Sequence, residues 1–242
     1  MDYNIRMGIQ KKIWIPIFIL VIGLNSPIYG QKREVGGGLG AISYTGDLSR
    51  NIFTNPIKPG AYVFYRFNVS NYISVRTSFL AGKLAGTDTK PIDAFAVARA
   101  SSFNIFLYEF STGVEYYFLD FRSKKASLNW SPYFYGGLGV FGMLGHANKT
   151  ATYSNIQLAI PLALGVRYRA SPKWSFSFEA GVRATFFDYI DNISEGDYFN
   201  KDYQYGNPND NDEYYFAGVS VSYTFYKVEC PTLPIKQGYR RR

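Results

Sequence analysis

One cysteine, Cys230, and one histidine, His146, are all that 242 residues contain of either type. A single thiol excludes an internal disulfide framework, and a lone imidazole without a cysteine cluster excludes the usual zinc ligand sets. Apolar runs long enough for a helical membrane span are missing too. The most hydrophobic run, "IWIPIFILVIGL" (Ile13–Leu24), is 12 residues long and holds Pro16, whereas a helical span needs roughly 20. No segment carries a 3.6-residue period, and no repeat at the spacing of solenoids or propellers is visible. Helical bundles, helical membrane proteins and repeat arrays are thereby set aside.

That apolar run follows Arg6, Lys11 and Lys12 and precedes "NSPIYG". A basic segment, a short apolar core and small residues together read as an export signal over residues 1–30, with cleavage expected between Gly30 and Gln31. No cysteine lies near this boundary, so a lipid-anchored N-terminus is not expected. Removing the segment takes away three basic residues and Asp2, and the net charge falls from +8 to +6. An exported chain does not meet nucleic acid, so the excess must be read from its placement.

Aromatics and glycine are abundant, with 22 Tyr, 20 Phe and 23 Gly, a mix that favours strands. Eight segments have strand character: Glu34–Thr45, Gly60–Asn68, Tyr72–Lys83, Phe103–Leu119, Tyr133–Leu144, Ile156–Arg169, Trp174–Tyr189 and Glu213–Tyr226. Most reach the roughly 9–11 residues with which a tilted strand crosses a bilayer. Tight turns, "VSN" and "ASPK", alternate with longer polar loops. Only the link "DFRSKKASLNWS" is long where a short one belongs. The expected fold is all-β: an eight-stranded antiparallel transmembrane barrel of the outer membrane, OmpA-like, over 31–226. A basic periplasmic tail follows over 227–242. An even strand number returns both chain ends to the periplasm.

"WSFSFEAGVRATF" (174–186) shows how the faces divide. Phe176, Phe178, Ala180, Val182, Ala184 and Phe186 alternate with Ser175, Ser177, Glu179, Gly181, Arg183 and Thr185. A charge facing lipid at the bilayer midplane costs about 2–4 kcal/mol, so the Phe face must be the outer one. The same parity places Arg66, Arg76, Glu115, Arg167, Glu179 and Arg183 inside, where both signs can pair. An interior ion-pair network is expected, with small residues filling the rest of the lumen and no open pore. Tyr116, Phe118, Phe121, Trp130, Tyr133, Tyr168, Trp174, Tyr223 and Phe225 gather near the short-turn end, as an interfacial girdle does.

Few residues suggest chemistry. His146 and Ser154 are the one base–nucleophile pair available to a lipid-modifying hydrolase, and nothing in the local sequence orients them as a dyad. The stretch from Asp188 to Glu213 is acidic, yet its spacing fits no EF-hand loop. Its inner end, "DYIDNIS", is apolar enough to fold over the barrel mouth. No metal or other cofactor is expected, and no enzyme activity. The opposite end is basic: Lys32, Arg33, Arg122, Lys124, Lys125 and Lys173, joined by Lys227, Lys236, Arg240, Arg241 and Arg242 of the tail. Such a surface suits a protein partner or anionic headgroups.

Three stretches resemble one known family. "EVGGGLGAISYTGDLS" (34–49) is similar to a Gly-rich opening strand leading into a Gly-Asp-Leu turn. "FFDYIDNIS" (186–194) resembles an Asp-Tyr-Leu-Asp-Asp-Val-Ser motif after strand seven. "SYTFYKVECP" (222–231) resembles a final strand followed by Cys-Pro. The family so resembled is that of PorG proteins, outer-membrane barrel components of the type IX secretion system of Bacteroidota. The resemblance implies a barrel that anchors the periplasmic ring complex, a lipoprotein and its ring partner, beneath the outer membrane. Candidate contacts on that face are Arg122, Lys124, Lys125, Cys230, Lys236, Arg240, Arg241 and Arg242. A generic OmpA-like barrel acting as an adhesin through its acidic loop is the alternative.

Overall fold

The structure, a computed structural model, describes residues 33–46, 48, 55–87, 102–123, 127–145, 154–187, 189–192 and 211–225. The expected signal segment and basic tail lie outside these residues. Eight strands occur in order: β1 (Arg33–Thr45), β2 (Lys58–Asn68), β3 (Ile73–Thr87), β4 (Ser102–Tyr117), β5 (Trp130–Leu144), β6 (Ile156–Arg169), β7 (Trp174–Thr185) and β8 (Glu213–Phe225). Each pairs antiparallel with the next. β8 returns to β1 in a register running from Arg33 opposite Phe225 to Thr45 opposite Glu213, and the barrel closes. Closure leaves no edge strand with unpaired backbone groups, a condition for a sheet in hydrocarbon.

All eight expected segments are strands, with three informative shifts at their ends. β3 runs on to Thr87, because β4 keeps pairing with it as far as Ser102. β5 starts at Trp130 despite Pro132, whose carbonyl still accepts from Phe118 N at 3.1 Å. β7 stops at Thr185, four residues before the expected end. There the Thr185 hydroxyl reaches the carbonyls of Asp212 and Phe187 at 2.6 and 3.1 Å. The chain then bends inward, so Phe187 and Ile190 are buried while Phe186 faces outward.

The two faces follow the alternation of the sequence. Val35, Leu39, Val63, Phe79, Leu138, Phe176, Phe178 and Val219 all point outward, Leu138 with 70% of its surface exposed. Ser175, Ser177, Glu179 and Arg183 of β7 point inward and are buried. A soluble barrel would reverse this, so the outer surface is a lipid-facing one. Tyr116, Phe118, Trp130, Tyr168, Trp174 and Phe225 stand exposed around the short-turn end. Two residues of the expected girdle are not in it. Tyr133 and Phe121 are each 1% exposed and pack at a tilt against the Tyr117 ring inside the barrel. Tyr133 shares the parity of lumen-facing Ser131, and Phe121 turns in once β4 has ended.

The lumen is layered along the barrel axis. Toward the short turns it holds charges, hydroxyls and the Tyr117–Phe121–Tyr133 cluster. Toward the longer connections it holds a hydrophobic cluster that includes Ile42, Leu80, Leu84, Ile105, Leu107 and Phe141. Glycines on the inner face of β1 make room for this filling. A Cβ on Gly40 would lie 2.7 Å from the Phe216 ring, and one on Gly36 would strike the Phe64 ring.

Leu138 sits near the middle of β5, so Leu138→Arg should destabilise the barrel by about 2–4 kcal/mol. Reversible urea unfolding in lipid vesicles checks this; a cost near zero would mean that this face does not meet acyl chains.

Candidate functional site: a filled lumen with two unlike mouths

Six charged groups form one alternating file across the charged layer: Arg167, Glu34, Arg66, Glu115, Arg76 and Glu179. Arg167 Nη2 donates to Glu34, which also accepts from Arg66 Nη1 at 3.0 Å and from Asn68 at 2.6 Å. Arg66 then grips Glu115 with Nε and Nη2, at 2.6 and 2.9 Å. Arg76 Nη1 lies 3.1 Å from the same carboxylate and binds Glu179 with both terminal nitrogens, at 2.5 and 3.0 Å. Two phenols complete the acceptors: Tyr117 donates to Glu115 at 2.5 Å and Tyr133 to Glu179 at 2.8 Å. Arg76 also stacks over the Tyr135 ring, 3.8 Å from its centroid.

Strand register explains why these groups meet. Glu34 lies directly opposite Arg66, and Arg66 opposite Arg76. Gly165 pairs with both Tyr133 and Glu179. A Cβ at Gly165 would come within 2.5 Å of the Tyr133 ring, so only glycine there lets the phenol lie across to Glu179.

All six residues expected inside are buried there. Five of them share the file, whereas Arg183 lies apart in the apolar half. Its Nε is 3.4 Å from Glu109, whose carboxylate also accepts from Tyr214 at 2.8 Å. Glu34 and Glu109 were absent from the expected set. Parity alone marks both: Glu34 precedes the inward glycines by even steps, and Glu109 lies six residues from Glu115.

The mouth beside the longer connections is closed by a hydroxyl and two carboxylates. Tyr44 OH sits 2.8 Å from Asp191 Oδ2 and 2.6 Å from Asp212 Oδ1. Asp212 Oδ2 accepts from Ile190 N at 2.8 Å, while Asn55 donates to the Tyr44 carbonyl at 2.6 Å. Leu48 and Ile190 pack into the same apolar cluster. Asn192 takes the left-handed conformation, φ 64°; asparagine is among the few side chains that tolerate it. Two of the quoted motifs, "EVGGGLGAISYTGDLS" and "FFDYIDNIS", therefore meet here, through residues 147 positions apart.

At the other mouth the long link after β4 turns into the barrel. Phe121 is buried, and Arg122 is 7% exposed. Its guanidinium donates to Ser70 O at 3.0 Å and Ser74 Oγ at 2.9 Å. Arg122 is thus no free surface charge, contrary to expectation. Its burial pushes the guanidinium below its ordinary pKa, though arginine stays charged. Lys124, Lys125, Cys230, Lys236, Arg240, Arg241 and Arg242 lie outside the described residues, as does His146. Ser154 is exposed and accepts from Ile156 N at 3.2 Å. Among the described residues, no three His, Cys, Asp or Glu side chains gather to hold a metal ion.

A family model described as a domain of unknown function, DUF6089, matches residues 11–232. The chain belongs to that family. No curated protein matches it. Among solved structures, this DUF6089 barrel is similar to Ail, the attachment invasion locus protein of Yersinia pestis. Identity there is 12%, over 81% of this chain and 99% of that one, with a TM-score of 0.45. The N-terminal barrel domain of Pseudomonas aeruginosa OprF gives 12%, 81% and 99%, with a TM-score of 0.44. Neisserial surface protein A gives 9%, 81% and 97%, with a TM-score of 0.47.

Two variants test the two layers of this DUF6089 barrel. Glu115→Gln leaves Arg66 and Arg76 facing each other without their bridging charge, and should cost about 3–5 kcal/mol in vesicle unfolding. Tyr44→Phe removes the donor between Asp191 and Asp212. Amide exchange at Ile190 and Asn192 should then quicken while strand amides keep their protection; unchanged exchange would show that the phenol does not hold this segment.

Proposed function

We propose that this DUF6089 protein resides in the outer membrane and anchors a periplasmic protein assembly, the ring complex of the type IX secretion system. The observation that carries the reading is the filled lumen. Arginine–glutamate pairs occupy one half and packed apolar side chains the other, which favours attachment over conduction. With the interior committed to packing, the two ends are what the molecule offers to partners.

The finer assignment rests on the three motifs that resemble PorG proteins. The structure gives the first two a common task, closing the mouth beside the longer connections. The third begins on the last turns of β8, whose end at Phe225 faces Arg33 across the closing register. Both ends of the barrel sequence thus emerge beside the short turns. A chain segment following β8 starts on the side where a periplasmic ring would sit. The partners in this reading are the lipoprotein and its ring partner, with outer-membrane lipid around the barrel. The reading assigns no catalytic role.

Truncating the chain after Tyr226 removes Cys230, Lys236 and the terminal arginines. The shortened protein should still migrate as a heat-modifiable folded barrel and should no longer co-purify with ring proteins from native outer membranes. Undiminished co-purification would refute docking through the tail.

A further inference from the structure

The short-turn mouth contains a pocket that the barrel's own packing leaves unfilled. Arg122, Arg167, Arg169 and Glu34 supply its charges, and Ser175 and Thr224 its hydroxyls. It measures about 20 Å³, room for about one water-sized group such as a single carboxylate oxygen.

Charge at this pocket does not balance locally. Three guanidiniums face one carboxylate, and that carboxylate is already shared among Arg66, Arg167 and Asn68. Arg122 donates to backbone carbonyls and the Ser74 hydroxyl and lies over the Tyr117 ring, 4.2 Å from its centroid, with no ion pair within salt-bridge distance among the described residues. Arg169 donates to the Arg122 carbonyl at 3.2 Å and to Asn129 at 3.4 Å, two neutral acceptors. Arg167 is 1% exposed, and its Nε has no hydrogen-bond partner. A buried donor left unpaired beside surplus positive charge asks for an anionic acceptor.

The position of the pocket narrows what that acceptor can be. Ser175 and Thr224 are lumen-facing, while their chain neighbours Trp174 and Phe225 stand exposed on the outer face. Pro172, in the turn between β6 and β7, forms part of the rim. The opening therefore faces the aqueous end of the barrel and not the surrounding lipid. A planar carboxylate matches the fork of an arginine and the small volume better than a bulkier tetrahedral anion.

We infer that this pocket receives one acidic side chain of a protein partner, clasped among Arg122, Arg167 and Arg169 at the short-turn mouth. The inference deepens the anchoring reading and depends on it for the partner's identity, though not for the chemistry of the pocket.

The test uses the isotope-labelled full barrel protein in micelles and a capped glutamate-containing peptide, with the glutamine version as control. The glutamate peptide should shift the amides of Phe121, Ser175 and Thr224 saturably, and the glutamine peptide should not. Arg169→Ala, at the least buried of the three arginines, should weaken binding roughly three- to tenfold. Arg122→Gln gives a second route should the first variant fold poorly. Equal shifts with the glutamine peptide, no saturable shift, unchanged affinity in both variants, or full displacement by equimolar inorganic phosphate would overturn the inference. A silent peptide beside intact ring co-purification would sink the pocket alone. A bound peptide beside ring proteins that never co-purify would sink the anchoring reading alone.

Discussion

The alternating file of guanidiniums and carboxylates is the interaction on which the remaining architecture depends. A barrel in lipid gains little by bringing its outer side chains together, because hydrocarbon is already their solvent. Cohesion must come from backbone pairing and from the lumen. Each inner charge would be prohibitive alone, since burying an ion costs several kcal/mol even after relaxation. Arranged in alternation, Glu34, Glu115 and Glu179 each meet arginine nitrogens and at least one further donor. The file draws on β1, β2, β3, β4, β6 and β7, and Tyr133 and Ser222 bring in β5 and β8. All eight strands are tied to one layer.

That layer also selects the register. Arg66 and Arg76 sit directly opposite each other on adjacent strands, a repulsive arrangement in isolation. Glu115, reaching both from β4, turns the repulsion into a bridge. A slip by one residue in any of these strands would send its charge into acyl chains and bring an apolar residue inside. Misregistered barrels therefore lose on both faces at once. This gives the buried ions a role in specificity that a purely apolar lumen would lack.

Much of this was legible in the sequence, because period-two alternation reports strand and face together. Parity assigned Arg66, Arg76, Glu115, Arg167, Glu179 and Arg183 to the interior, and applied consistently it would have added Glu34 and Glu109. The rule that small residues fill the lumen failed toward the longer connections, where Leu80, Leu84, Ile105 and Leu107 point inward. The reason is a change of surroundings along the strands. At that end of β3 and β4, Lys83, Ser102 and Asn104 are exposed on the outer face. The outside there is polar and the inside apolar, as in a soluble barrel. Phe121 and Arg122 were misplaced for a related reason. A long link on the short-turn side reads as an exposed loop, whereas its length serves to fold back into the mouth.

The two mouths end up with different surpluses. Beside the longer connections, Tyr44 sets one phenol proton between the carboxylates of Asp191 and Asp212 above a packed apolar cluster, and the charge gathered at that mouth is negative. In the pocket beside the short turns, three arginines line the walls with one carboxylate. Glu34 is shared among three partners while Arg122 and Arg169 rest on neutral acceptors. Among the described residues, the surplus at this mouth is positive, so the capacity to bind an anion lies here. The position is set by the same ion-pair layer that closes the barrel. Stability and recognition thus share residues at this end, and a substitution in the layer acts on both. Separating them experimentally requires variants at its outermost members, where the charge is least committed to holding the strands.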